Sequence, residues 1–257
     1  MSKEIAQIDN FSFRVIKKVG LAINRFKMIK ENDRIIVAVS GGKDSLTLLK
    51  ALVIRKLWVP LKYDIIAINV QSDMHCSGCV HKETLKSLFE DLKIEYHFEE
   101  IEILKKLKEK GEQLNCFFCS WNRRKALFLA TRKYNCNKIA MGHHMDDVIH
   151  TILMNIILHG KQEGMDPKVS FFGGEFDLIR PLFFVRESET ARFVELNNLP
   201  RHFCKCPEAQ QNIRVKMREL TNYINTINPK GYLNIFSSLY GNPFSNKNSE
   251  DNKGNDI

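Results

Sequence analysis

Residues 34–45, RIIVAVSGGKDS, constrain the fold of this chain more than any other stretch. Arg34 to Val39 is a short β-branched run without polar interruption, which reads as a strand buried on both faces. Ser40, Gly41 and Gly42 break it, and LTLLKAL from Leu46 carries helical spacing. A strand, a glycine turn and a helix start make an anion site, because unpaired N–H groups and the positive helix end converge there. The two glycines let the backbone approach a phosphate closely and adopt dihedrals closed to other residues. Lys43 adds a charge, Asp44 can cap the helix or hold a metal, and Ser40 and Ser45 supply hydroxyls. The spacing does not fit the P-loop of kinase-type nucleotide-binding proteins. The plainer reading is a tight strand–helix turn with an incidental lysine. All six positions from Ser40 to Ser45 suit phosphate binding, which weighs against it.

The rest of the chain alternates strands and helices around this stretch. Val15, Val19, Ala22 and Phe26 lie at helical spacing over residues 10–29, with Asp9 and Asn10 as cap candidates. YDIIAINV (Tyr63 to Val70) is a second buried strand, followed by a polar loop with Cys76 and Cys79 and a helix from about His81 to Leu92. Ile94 to Ile103 is a third strand, and Leu104 to Lys110 a short charged helix or linker. A helix over 119–134 presents Arg123, Arg124, Lys125, Arg132 and Lys133 as a basic face. KIAMG (Lys138 to Gly142) is a fourth strand, and a helix follows from about Asp146 to Leu158. His159 to Asp177 reads as a glycine-rich loop, LIRPL (Leu178 to Leu182) as a fifth strand, and Arg186 to Asn198 and Glu208 to Ile227 as helices. The pattern is α/β, with parallel pairing, right-handed crossovers and ligands beyond the carboxyl ends of the strands. The division expected is an N-terminal helix over 1–30, a nucleotide domain over 31–200 and a C-terminal helical extension over 201–244. The tail from 245 to 257, with no apolar residue before its last, is expected to be disordered.

At 257 residues the chain admits one large α/β domain or one domain with small additions. Its net charge of +9 fits an anionic partner such as nucleic acid. Met1 to Asn10 lacks the apolar core of a signal peptide, and no stretch approaches the length of a membrane span. The expectation is a cytoplasmic protein whose seven cysteines are reduced thiols or metal ligands.

Two further constellations carry chemistry. GHHMDD (Gly142 to Asp147) comes off the end of a strand, and its adjacent aspartates, Asp146 and Asp147, can bind the magnesium that ATP requires. The bland alternative is that one of them caps the following helix. Cys116 and Cys119 flank two phenylalanines just ahead of Arg123 and Arg124. In a reducing compartment this CxxC is a metal half-site or a redox pair, rather than two buried small hydrophobes. One distant thiolate, Cys204 or Cys206, would complete three ligands, which suits an iron–sulfur cube better than a closed zinc site.

SGGKDS after a buried strand resembles the PP-loop of the ATP pyrophosphatase superfamily. That resemblance implies an adenine nucleotide alpha hydrolase-like parallel sheet, and ATP cleaved between its α and β phosphates with AMP placed on a substrate oxygen. The segments LAINRFKMIKENDRIIVAVSGGKDSLTLLKAL, CFFCSWNRRKALF, IAMGHHMDDVIHTILMN, HGKQEGMDPK and IRPL resemble, in order and spacing, the tRNA 2-thiocytidine synthetase family over most of residues 10–220. The family implies an ATP- and magnesium-dependent transferase with a 4Fe–4S cluster on three cysteines, which replaces a cytidine oxygen in the anticodon loop with sulfur. Carried over, Ser40, Gly41, Gly42, Lys43, Asp44, Ser45, Gly142, His143, Asp146 and Asp147 hold the nucleotide and its metal. Lys43, Asp44, Arg123 and Asp146 act in the chemistry, and Cys116, Cys119 and Cys206 hold the cluster, with Cys204 the alternative third ligand. The implied partners are tRNA and a sulfur donor such as a cysteine desulfurase, with a homodimer left open. Two competing readings are a PP-loop ligase that attaches an amine, which would have no need of cysteines, and a metal- and nucleotide-dependent RNA-binding module without turnover.

The chain departs from the family at Cys76 and Cys79, flanked by His75 and His81, where a zinc site or a second sulfur-handling pair is the functional reading. Cys136, alone in an NCN turn, reads as inert.

Overall fold

The computed structural model describes residues 8–73, 81–110, 116–200 and 213–244. His75, Cys76, Cys79, Cys204, Cys206 and the 245–257 tail lie outside the described residues. The alternation within RIIVAV decides the layering. Ile35, Val37 and Val39 enter one apolar core and Ile36 a second, as the period of a strand requires. The strand is β1 (Asp33–Ala38), and it runs parallel to β2 (Tyr63–Ser72) on one side and to β4 (Lys138–Ala140) on the other. Strand β3 (Glu95–Ile101) extends the sheet beyond β2, and β6 (Phe176–Ile179) extends it beyond β4. The outermost strand, β5 (Lys168–Phe171), is antiparallel to β6, so the order is β3-β2-β1-β4-β6-β5.

The larger core lies on one face of the sheet. Asp9 caps α1 (Asn10–Arg25), accepting from the N–H groups of Phe11 and Ser12 at 2.9 Å each. This helix buries Val15, Val19 and Ala22 against α2 (Lys43–Trp58) and α7 (Glu187–Leu196). The same core takes Leu85 and Phe89 of α3 (Lys82–Asp91) and Ile149 and Ile152 of α6 (Met145–His159). The C-terminal helices α8 (Ile213–Ile227) and α9 (Gly231–Tyr240) dock on α6, with Phe236 edge-on to Phe183. The opposite face is covered by α5 (Cys116–Lys133), whose Leu127 and Ala130 meet Ile36, Ile66 and Ile139. A short helix, α4 (Ile103–Lys110), precedes it.

One stretch differs from the sequence reading. The 159–177 segment, expected as loop, contains β5 and a hairpin turn, and the following strand runs from Phe176 to Ile179 instead of from Leu178 to Leu182. Phe172, Gly173 and Gly174 take positive φ angles of 51°, 69° and 97° at the turn. The rings of Phe171 and Phe176 stack across it at 5.5 Å. The cross-strand aromatic pair and the two glycines at the turn favour the hairpin, whose β6 is anchored by pairing with β4. Beyond Ile179 the chain turns, with Val185 N–H donating to the Leu182 carbonyl at 2.8 Å, because Pro181 cannot continue the ladder.

At the amino edge of the sheet a buried ionic cluster joins β1, β4 and β6. Lys138 Nζ lies 2.5 Å from Asp177 Oδ2 and 3.8 Å from Asp33 Oδ2. Burial raises the Asp177 carboxyl, but hydrogen bonds from Lys138, Ser170 and Lys168 outweigh it and hold it at about 2. Because the folded value lies below the unfolded one, this contribution is present above about pH 4 and is lost as pH falls through about 2, on the order of 2 kcal/mol in all. Denaturant titrations should therefore show wild-type stability falling between these limits, and Asp177→Asn should flatten that fall. An unchanged acid slope in the variant would assign the loss to other carboxylates.

Candidate active site

The chain leaves β1 through α2 toward β2, and leaves β4 through α6 toward β6. Helices therefore depart in opposite senses from two adjacent strands, and the crevice between their carboxyl ends is the switch point of the sheet. The loop after β1 is built from its own hydroxyls. Ser45 Oγ donates to the Gly42 carbonyl at 2.9 Å and accepts from the Ser40 N–H at 3.2 Å, and the Gly42 N–H reaches Ser40 Oγ at 3.3 Å. Gly41 sits at φ 84°, open to glycine and strained for other residues. Gly42 is the N-cap of α2 and offers no side-chain cap, so the helix presents its first N–H groups to the crevice.

The loop after β4 closes against this helix start. A Cβ on Gly142 would lie 3.1 Å from Ser45 N and 3.2 Å from the Asp44 carbonyl carbon. His144 and Asp147 form a reciprocal cap on α6. The Asp147 N–H donates to His144 Nδ1 at 3.4 Å and the His144 N–H to Asp147 Oδ2 at 3.0 Å. His144 Nε2 faces Asp44 Oδ1 at 3.8 Å. His143 is different. Its Nδ1 is buried without a partner, and burial, reinforced by Arg180 and Arg214 and only partly opposed by Asp147, pushes the ring down to about 4. It is a neutral imidazole at pH 7.

Lys43 Nζ lies 3.1 Å from Asp44 Oδ2 and 3.0 Å from Glu187 Oε1, and these carboxylates outweigh burial to hold its ammonium above the usual value. A cleft of about 310 Å³ opens here, with Ser40, Gly42, Asp44, His143, Asp147 and Arg123 on its rim and Ile68, Val70, Leu127 and Met141 as its apolar part. Arg123 comes from α5, and its guanidinium reaches the Val70 carbonyl at 3.3 Å and Ser72 Oγ at 3.4 Å. Wider concavities beside α5 and at the amino edge of the sheet lack a glycine loop and a buried imidazole.

The structure thus lines one crevice with Ser40, Gly42, Asp44, Ser45, Arg123, Gly142, His143 and Asp147; Gly41 belongs to the same loop, and Lys43 adjoins the crevice through its contact with Asp44. Asp146 stands apart. Its carboxylate accepts from Arg186 Nε at 3.0 and 3.1 Å and from the Glu187 N–H at 2.8 Å, so it braces α7 instead of facing the cleft. Cys116 and Cys119 occupy the first turn of α5, where Cys119 is a free, partly exposed thiol. Cys136 is buried, with its thiol pushed up to about 11 by that burial, in keeping with an inert residue. Of the five basic residues expected on the exposed face of α5, Arg123 turns into the cleft, Arg132 pairs with Glu175 and Lys133 with Glu99. Among the described residues no three His, Cys, Asp or Glu side chains are arranged to hold a metal ion, and no helix is long and apolar enough to cross a membrane. Sequence reasoning missed Glu187 and Thr190, whose hydroxyl bonds Asp44 Oδ1, because their only local signal is the start of a helix.

The Gly142 contact makes a direct test. Gly142→Ala should push the two loops apart, weaken binding of a non-hydrolysable ATP analogue at least about tenfold and cost roughly 1–3 kcal/mol of stability. Calorimetric titration and thermal melts read both, and a variant that binds normally would show that the close approach is not needed.

Residues 14–207 match the PP-loop domain family. The tRNA-cytidine(32) 2-sulfurtransferase of Syntrophotalea carbinolica is 38% identical over 224 residues, 84% of this chain and 85% of the relative. The protein of the same name from Herminiimonas arsenicoxydans is 34% identical over 230 residues, 88% of this chain and 71% of the relative. The solved structure of the U34-tRNA thiolase NcsA from Methanococcus maripaludis with its 4Fe–4S cluster has the same fold, with a TM-score of 0.72 at 24% identity, covering 90% of this chain and 78% of that one. With the strand–glycine–helix crevice, the uncapped α2 and the cysteine pair on α5, these matches establish that the chain belongs to the PP-loop family and, within it, to the tRNA-cytidine(32) 2-sulfurtransferases.

Proposed function

We propose that this protein activates the C2 carbonyl of a cytidine in the anticodon loop of tRNA with ATP and replaces its oxygen with sulfur. The observation that carries the reading is α5, one helix that bears the cysteine pair on its first turn and Arg123 in the wall of the nucleotide cleft. Adenylation and sulfur chemistry are thereby joined through a single rigid element.

The cleft suits ATP in its chemistry. Apolar side chains accept a purine, while the α2 N-terminus and Lys43 meet the phosphates. The carbonyl oxygen attacks the α phosphorus, the bond to the β-phosphate oxygen breaks, and pyrophosphate leaves as Lys43 and the helix N–H groups stabilise its charge. A sulfur nucleophile then adds at C2, and AMP departs with the former carbonyl oxygen. His143, neutral, offers one hydrogen bond without adding charge to a crowded site. Asp44 and Asp147 are the carboxylates on the rim where magnesium would sit, and Asp146 holds α7 in place.

The donor set fits an iron–sulfur cluster. Cys116 and Cys119 share a helix turn, and Cys206, with Cys204 the alternative, would supply the third sulfur. Held by three thiolates, a cluster would supply an iron able to take up sulfur. Arg124 and Lys125 on α5, with Arg214 and Lys216 on α8, are exposed cations for tRNA phosphates. Sulfide or a cysteine desulfurase is the donor class, the reaction is cytoplasmic because its substrate is, and a homodimer is compatible with it.

Anaerobic protein incubated with ATP, tRNA and sulfide should release one pyrophosphate per 2-thiocytidine formed. Lys43→Ala should cut both products by about a thousandfold, leaving only a residual rate, with an unchanged melt, since Lys43 serves ligand and not core. Cys119→Ser should keep the melt but lose the brown colour and the thionucleoside. Full thiolation by either variant would contradict the assignment.

A further inference from the structure

We propose that Glu187 is a positioning residue for the nucleotide reaction, fixing the Lys43 ammonium where it meets the transferring phosphates. The proposal rests on the reading of the cleft above and adds to it a residue that lies in none of the glycine, aspartate or cysteine motifs.

A lysine carries four rotatable side-chain bonds and three N–H donors, so a phosphate-binding lysine held by nothing loses much of its effect to conformational freedom. Asp44 alone cannot fix Lys43, because it is the next residue on the same helix and approaches from one side. Glu187 approaches from another element, 144 residues away in the chain, and its Oε1 lies 3.0 Å from Lys43 Nζ. Two of the three donors are then directed at carboxylates, and one is left for a ligand.

Glu187 is itself held rigidly. Its N–H is bonded to Asp146 Oδ2 at 2.8 Å, and the same carboxylate grips the neighbouring Arg186, whose guanidinium lies over the Tyr232 ring at 3.5 Å. Thr190, one turn later on α7, places its hydroxyl on Asp44 Oδ1, and Thr47 of α2 reaches the Thr190 carbonyl at 3.3 Å. Both carboxylates that face Lys43 are therefore braced by the first turn of α7. Burial raises the Glu187 carboxyl, but Lys43 and Arg218 outweigh it, so the group is ionised at neutral pH. A second carboxylate beside the phosphates opposes ground-state binding of ATP. Its benefit falls on the placement of the lysine in the transition state.

The two effects separate in kinetics. With saturating tRNA, Glu187→Ala should lower kcat for pyrophosphate release about ten- to hundredfold, while KM for ATP stays within about twofold or falls. Glu187→Gln, which keeps an acceptor oxygen for Lys43, should recover a large part of kcat. In a Lys43→Ala background, removing Glu187 should cause no further loss of the residual rate, and analogue binding by calorimetry should show the same non-additivity. A rise in KM with kcat unchanged, or losses that multiply in the double variant, would overturn the proposal. If Glu187→Ala does not fold, Glu187→Asp, one methylene short of Lys43, reads the same split in kcat and KM. Should Lys43→Ala itself leave pyrophosphate release intact, the nucleotide site is misassigned and the proposal falls with it; an inactive Lys43→Ala confines any failure to Glu187.

Discussion

The site depends on one close approach, Gly142 against the peptide backbone of Asp44 and Ser45. At 3.1 Å from a notional Cβ to Ser45 N, a side chain would fit only if the facing backbone gave way by a few tenths of an ångström. Strands β1 and β4 are paired neighbours, so their loops leave the sheet side by side, and a glycine at 142 lets them approach closely. Because they meet here, the glycine loop, the α2 N-terminus, the His143 ring and Asp147 surround one cleft instead of two separate turns.

Charge is arranged around that contact with little left unmatched. Lys43 lies between Asp44 and Glu187, Arg186 between Asp146 and Tyr232, and His144 bonds Asp147. His143 is an exception, a half-buried ring whose Nδ1 is buried without a partner. A buried polar atom without a hydrogen bond is costly, and a site built to receive a polar ligand is where such a cost is tolerated. The buried Lys138–Asp177 pair sits at the opposite edge of the sheet, where it sets the pairing of β1, β4 and β6 without touching the cleft.

Much of this was legible in the sequence. Strands β1, β2 and β4 bury most of their residues and so stand out as β-branched apolar segments, and the glycines after β1 and β4 mark the crevice. Asp9, one of the two cap candidates read from the sequence, is the cap of α1. The β5–β6 hairpin was not, because its strands are four residues long and the Phe171–Phe176 pair that closes it looks like loop composition. Asp146 was misleading for a different reason. An aspartate pair after a strand suits a metal, and only the fold shows that Arg186 and the Glu187 N–H arrive to claim one of the two. Glu187 itself had no signal, since its partner is 144 residues distant. The family resemblance supplied what spacing alone could not, namely the link between the cysteine pair and thiolation.

The central claim is that the cleft transfers AMP to a carbonyl oxygen of the nucleoside that is thiolated. Transcribed tRNA carrying ¹⁸O at C2 of its cytidines tests it directly, because the mechanism moves that oxygen onto phosphorus. After one round of thiolation the AMP should carry one ¹⁸O per thionucleoside, with pyrophosphate unlabelled. Unlabelled AMP, or ADP and phosphate in its place, would contradict adenylation of the base.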